Sequence, residues 1–539
     1  MVSLHHLRFP ALALSGAALL AAAACGSTNT STTASADSPT TAHEAVGDTT
    51  KTGATATSAA LRPGSVEAGR DVYRFETFGT EGFWTNAVRM PQGMAQAKLT
   101  VLDALKAGVS FDVDAIPADL KTAFMSEVRT DLSPGKAPRL NDPAVMTQLV
   151  KANAVIGMVP KGNMVGVSCS LCHGITDKSM FALSGDRGTI GKRIDGPTPH
   201  QLNVGKLLAT GANTRALMPV AQLQNPDGST IGRAPKGLTA NSTEAEFDAY
   251  FSNPKYYPLG MFDDSPDGNG NPVHIAPFFR QDLAAPYGSS GQNGDLNDFN
   301  NTVYTALFDQ TNLTTPGGAT FIHILGGTAG DSLIAGYKRV LAATGVQGIP
   351  FVTAHMQGKA GELATPTGKR VDEQKLRDLQ AYLNQLPAPK GVVTDAALVA
   401  KGRALFVSQN CTQCHNTNQG QPVQSRLIPM NVIWPGYAPK VIAMRQPPLS
   451  PIQNAPGTFD DKMIVVDASP GGGIRGNALP LLLDLARKPV FLHDDEVKGL
   501  DALFDPKRGA KAPHPFYVVA PADRAALVAY MKSLDTDSK

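Results

Sequence analysis

The chain has 539 residues, a formal net charge of +2 and only 17% charged residues, with no long Lys/Arg cluster, which leaves no electrostatic footing for a nucleic-acid partner. The length suffices for about three domains, and 42% hydrophobic residues can fill sizeable cores. Gly (52) and Pro (40) are abundant enough to predict a loop-rich fold.

In chain order, the first element is a targeting signal. "MVSLHHLRFP" precedes the apolar, small-residue run "ALALSGAALLAAAAC", which ends at Cys25. Residues 1–24 therefore read as the n-region and h-region of a secretory signal, too short for a comfortable membrane span. "LLAAAAC" followed by "GS" resembles the lipobox of bacterial lipoproteins, which implies lipidation of Cys25 and attachment to a bacterial membrane, periplasmic or at the cell surface. The alternative is a plain signal cleaved near Ala24. Residues 25–62 are rich in Ser, Thr and Ala, have almost no apolar bulk and are expected to be a disordered tether.

Apart from Cys25, the cysteines form two pairs, each followed at once by histidine: "CSLCHG" with Cys169, Cys172 and His173, and "CTQCHN" with Cys411, Cys414 and His415. Cys-x-x-Cys-His is the attachment signature of c-type haem. Two thiols add across two vinyl groups as thioethers, and the next residue puts an imidazole under the iron. A four-cysteine zinc site, two small disulfide loops or a redox dithiol would leave the trailing histidines and their duplication unexplained. The expected cofactors are two covalently bound haem c groups, with His173 and His415 as iron ligands.

The segments around the motifs repeat. "TDAALVAKGRALFVSQN" (394–410) predicts a helix with an apolar face that runs into the second motif, and "SVEAGRDVYRFETFG" (65–79) echoes it far upstream. "DEQKLRDLQAYLNQLPAPK" (372–390), stopped by Pro387 and Pro389, pairs in the same way with "PADRAALVAYMKSLD" (521–535), where Pro521 fits a first helical turn. These pairs resemble the N- and C-terminal helices of class I cytochromes c. The resemblance implies a mainly α, loop-rich chain of two tandem haem domains, 65–389 and 391–539, the first enlarged by long insertions. Within those insertions "AQAKLTVLDALKAG" and "PADLKTAFMSEVRTDL" look helical. "DDSPDGNGNP" reads as a turn, lacking the spacing and terminal Glu of a calcium loop, and "GGTAGDS" lacks the Lys-Ser/Thr of a phosphate loop.

The run "GGGIRGNALPLLLDLARKPVFLHDDEVKGLDALFDPKRGAKAPHPF" resembles the C-terminal module of the di-haem cytochrome c peroxidase and rubber oxygenase-like superfamily. It matches through Leu479-Pro480-Leu481-Leu482, Pro489-Val490-Phe491-Leu492-His493-Asp494, Leu500 and Leu503. That resemblance implies His493 as the distal ligand of the iron held by His415. His514 stands second, and Met430, Met444 and Met463 are further candidates. The chain departs from the pattern at Asp495, where glycine usually stands, and at Glu496. For the first haem, Met356 and His355 precede the closing helix where cytochromes c often place a distal methionine, with Met218 and Met180 behind them; that iron is otherwise open. "YRFETFGTEGFW" (73–84) resembles the opening of rubber oxygenase-type proteins and puts Phe78, Phe83 and Trp84 near the first haem or in the core.

The distal positions decide the function. An open iron takes peroxide, dioxygen or another small ligand, whereas two strong protein ligands make a carrier. The expectation is an exported di-haem redox enzyme of peroxidase or oxygenase type, with the second haem relaying electrons from a periplasmic donor. The competing expectation is a pure electron-transfer cytochrome with both haems six-coordinate. The large first domain favours an enzyme, since a bare carrier needs only a small domain per haem.

Overall fold

The computed structural model describes residues 61–185, 187–225, 228, 230, 232–270, 272–288, 293–421, 427–429, 476–492, 495, 497–508, 514 and 516–538. The expected signal at 1–24, residues 25–60 of the tether expected at 25–62, Cys25, His493, Met430, Met444 and Met463 lie outside them, while Arg62 at the tether's end is held by Asp378. Helices dominate, joined by long irregular segments and short two- to four-residue strands.

Two helix crossings organise the chain. In the first, Val66–Phe75 lies across Glu373–Gln385; in the second, Ala396–Ser408 lies across Pro521–Ser533. Each opening helix starts on a side-chain cap, Ser65 to the Ala68 N–H and Asp395 to the Ala397 and Leu398 N–H groups. Each crossing is made at a glycine. A Cβ on Gly69 would lie 1.8 Å from the Asp378 carbonyl oxygen, and one on Gly402 would lie 2.0 Å from that of Ala526. Four residues after each glycine an aromatic ring meets a tyrosine edge-on: Tyr73 on Tyr382 at 5.5 Å and 61°, Phe406 on Tyr530 at 5.5 Å and 62°. The echo of "EAGRDVY" in "AKGRALF" is therefore a repeat of packing geometry. The first crossing is also pinned electrostatically, since the buried Asp378 carboxylate accepts Arg62 Nη1 and Nη2 and the Ser65 N–H at 2.6–2.8 Å.

Because the glycines carry backbone against backbone, Gly69→Ala or Gly402→Ala forces the helices apart. Overpacking of this kind costs about 1–3 kcal/mol, and each substitution is expected to lower the thermal unfolding midpoint. Gly135→Ala is the control, since nothing lies within 4 Å of a Cβ there. An unchanged midpoint in both crossing variants would remove this account of the crossings.

The insertion between the first opening helix and its motif builds its own core. Helices Val101–Lys106, Ala118–Glu127 and Pro143–Lys151 bring Leu105, Phe124 and Leu149 together with Phe321, Tyr337 and Val340 of a long helical span, Pro316–Ala343. That span breaks at "GGTAGDS" into two helices: Gly327 takes a non-helical φ 51° and ψ −134°, and across the kink the His323 imidazole meets both Asp331 carboxylate oxygens at 3.0 Å. Two further cores surround the crossings. Residues 481–485 join them by alternation: Leu483 belongs to the core of the first crossing, Leu482 and Leu485 to that of the second. Contacts tie residues 60–539 into one unit.

Candidate functional site

Both Cys-x-x-Cys-His stretches adopt the same turn. Cys169–Leu171 and Cys411–Gln413 form single 3₁₀ turns, and each histidine N–H returns to the first cysteine's carbonyl, at 3.1 Å for His173 and 2.9 Å for His415. Each turn is fastened to its crossing. Tyr73 donates its hydroxyl to the His173 carbonyl, which also accepts the Gly196 N–H at 2.7 Å, and Ser168 Oγ donates to the Arg74 carbonyl. At the second turn Tyr530 donates to Thr417 Oγ1 at 2.9 Å, two residues beyond His415.

All four motif cysteines are free thiols. Burial pushes Cys169 up to about 11, against a hydrogen bond with Tyr304, and burial with the neighbouring Cys169 pushes Cys172 up to about 12. A redox dithiol needs the opposite shift, so burial here disfavours the thiolate. Among the described residues no group of three or more His, Cys, Asp or Glu side chains is arranged to hold a metal ion. Each cysteine pair instead accompanies its own histidine.

The first turn opens on a cavity of about 330 Å³ whose wall includes Cys169, Cys172, His173, His274, Phe278 and Tyr304. Two thiols beside a buried imidazole on one largely apolar wall are the donor set that a covalently attached haem requires. His173 is held neutral at a pKa of about 3, chiefly by burial, with the Ala276 backbone pulling the other way and His274 adding to the depression. A neutral imidazole is the form that binds metal. Its ring lies flat on Phe278, centres 3.7 Å apart and planes 10° apart. The Tyr304 hydroxyl lies 3.3 Å from Cys169 Sγ, and its ring contacts Phe78 at 4.4 Å and Phe308 at 5.5 Å. Trp84 stacks edge-on against Phe308, with Phe83 behind it. The three aromatics flagged in the sequence thus form the second layer of this wall.

Residues 478–481 and 483 close the cavity from the C-terminal part of the chain. The segment that follows is a hairpin, Val490–Phe491 antiparallel to Val497–Lys498. Asp495, in the place of the usual glycine, takes φ +57°, a left-handed backbone that an aspartate tolerates. Its Oδ1 lies 2.9 Å from His274 Nδ1. His274 is buried and held well below its ordinary pKa by burial and then by Lys488, and His200 stacks behind it at 5.4 Å.

Met356 stands half-exposed at 49% on a strand, Met356–Gln357, paired with Lys369–Arg370, and is not part of the cavity wall. His355 is likewise at the surface, beside Asp372. Met218 is core, and Met180 packs against that core. The side chains that do reach the wall, His274 and Tyr304, were not singled out by sequence. "NPVHIAPFF" offered a signal for His274, a histidine set among apolar and aromatic residues directly after a turn.

At the second turn Cys411 and Cys414 are half-buried. Facing His415 is His514, ring centres 6.3 Å apart at 54°. Two imidazoles that share one metal at bonds of about 2 Å put their ring centres roughly 6 Å apart. Burial, then His415 and Arg508, bring His514 down to about 4, so it too is neutral at physiological pH.

No protein-family model matches the chain, and no curated protein does. Among solved structures, hydrazine synthase of Kuenenia stuttgartiensis pressurised with xenon aligns over 59% of this chain and 91% of its own, at 14% identity and a TM-score of 0.28. Likeness at that level carries no weight for fold or function, which rest on the chain's own residues.

Proposed function

We propose that the chain is a di-haem c-type redox protein. One haem is attached through Cys169 and Cys172 with His173 as ligand, the other through Cys411 and Cys414 with His415. The carrying observation is the duplication of a whole assembly: a glycine-aromatic helix crossing fastened to a Cys-x-x-Cys-His turn, twice in one chain. Haem bound there supplies one-electron redox chemistry and, where an axial position is free, a place for a small ligand. The protein's own residues do the rest. The thiols fix the ring, Tyr73 and Gly196 hold the His173 backbone in register, and Tyr304, Phe278 and Phe308 keep the first cavity dry.

The same cavity favours an enzyme over a carrier. No residue named from the sequence as a distal ligand of the first haem reaches its wall, which leaves that position for a small oxidant such as peroxide or dioxygen. The second site, with His514 opposite His415, suits electron relay from a partner protein. The absorption and paramagnetic resonance spectra of the oxidised protein are expected to show one low-spin haem and one high-spin haem that binds cyanide. Two low-spin, cyanide-inert haems would leave the pure electron carrier.

Export and lipid attachment at Cys25 complete the proposal. No helix among the described residues is long and apolar enough to cross a membrane; the attachment proposed is the lipidated Cys25. The expected result is an N-terminus that begins at Cys25 and carries acyl mass; an unmodified N-terminus would remove the anchor.

A further inference from the structure

We infer that Phe278, Arg280 and Gln419 form the route by which electrons pass between the two motif histidines; this rests on the two-haem proposal above. The bridge starts at the His173 ring, stacked on Phe278 at 3.7 Å. Two residues on, Arg280 adopts a left-handed backbone at φ 42° and ψ 56°, and its N–H is held by the Leu386 carbonyl at 3.1 Å. Its guanidinium is locked in direction: Nε and Nη2 donate to the two carboxylate oxygens of Asp282 at 2.9 and 2.8 Å. That leaves Nη1 to donate to the Gln419 carbonyl at 3.0 Å, across 139 residues of chain.

Gln419 is fully buried. Its N–H is anchored on the Ser538 carbonyl at 2.9 Å, and its Nε2 returns to the Asn416 carbonyl at 2.9 Å, one residue from His415. From imidazole to imidazole the bridge consists of one ring stack, a two-residue covalent step, one charge-assisted hydrogen bond and a short second stretch of chain. Electron tunnelling falls off steeply across empty gaps and more gently through bonds and hydrogen bonds, and this bridge has no empty gap wider than the ring stack. The arginine also makes the coupling rigid, because bidentate pairing with Asp282 removes the freedom that an isolated long side chain would have.

The transfer is a single electron. The site at His415, reduced by a protein electron donor, is oxidised by one; the site at His173 is reduced by one and later gives the electron to the small oxidant. No bond forms or breaks in the bridge and no proton moves through it.

The test uses the full-length, haem-loaded protein. A photochemical reductant injects one electron at the exposed second site, and the equilibration between the haems is followed optically. Arg280→Ala is expected to slow that step by an order of magnitude or more, with haem content and the resting spectra of both haems unchanged. Arg280→Lys, which keeps one donor for the Gln419 carbonyl, is expected to recover part of the rate, which a loss of general packing would not predict. An unchanged rate in Arg280→Ala overturns the route while leaving two haems in place. Should that variant not load haem, Phe278→Leu cuts the bridge at its other end, and an unchanged rate there overturns it equally. A haemochrome assay of the unaltered protein that finds other than two haems removes the underlying two-haem proposal and the route with it.

Discussion

Replacing Cys169 and Cys172 by serine is expected to lower covalent haem from two per chain to one, measured by pyridine haemochrome and by haem staining after denaturing electrophoresis. A serine hydroxyl does not form the thioether, so any haem that still enters the first cavity is held only by His173 and packing and is lost on denaturation. The two thiols sit in a turn whose first sulfur touches Tyr304, and the wall around them is largely apolar. A site left empty there no longer gains the stability that a bound ligand confers on the folded state. The variant is therefore expected to unfold at lower temperature as well as to carry less haem. Cys411→Ser/Cys414→Ser should also leave one haem, but with the spectrum of the first site. The two double variants together separate the spectra, which makes the spin-state assignment direct. Two covalent haems in either variant, or none in the unaltered protein, would overturn the framework.

What could be read from sequence divides along contact range. The haem-binding turns are contiguous pentapeptides, so their chemistry is visible without the fold. The crossings were legible because Gly69 and Tyr73, like Gly402 and Phe406, repeat at a helical spacing, and because "LQAYL" and "LVAYM" mark their partners. The turn at "DDSPDGNGNP" is the loop between Met261–Phe262 and Val273–His274, as its composition implies. The helical span 316–343 was hidden by its glycines, which do break it: Gly327 is non-helical and divides it into two helices, and Phe321 on one side and Ile334 and Tyr337 on the other pack into one core. The cavity wall was least legible of all. It joins residues 169–173, 262–308 and 478–483, and no local pattern says that Ala478–Leu481 will face Phe278. For the same reason Met356, in the usual place for a distal methionine in the chain, ends on an exposed strand: the inserted residues between motif and closing helix alter which segment covers the cavity.

His514→Ala is expected to convert the second haem from low-spin to high-spin, or to leave it holding water, while the first haem is untouched. Two sequence features competed for this role. The family pattern around "PVFLHDD" pointed to His493, and "APHPFYV" supplied His514. His493 lies outside the described residues, so the described geometry bears on His514 alone. The His514 ring is 6.3 Å from that of His415, it is held between Phe504 and Phe516, and burial keeps it unprotonated down to a pKa of about 4. His493→Ala is therefore expected to leave the second haem low-spin. His514→Met, which exchanges a nitrogen ligand for a thioether, should keep it low-spin and raise its reduction potential, because a methionine ligand raises the potential relative to a second histidine. Should His493→Ala convert the second haem and His514→Ala leave it unchanged, the ligand is His493 and the closeness of His514 to His415 is packing alone.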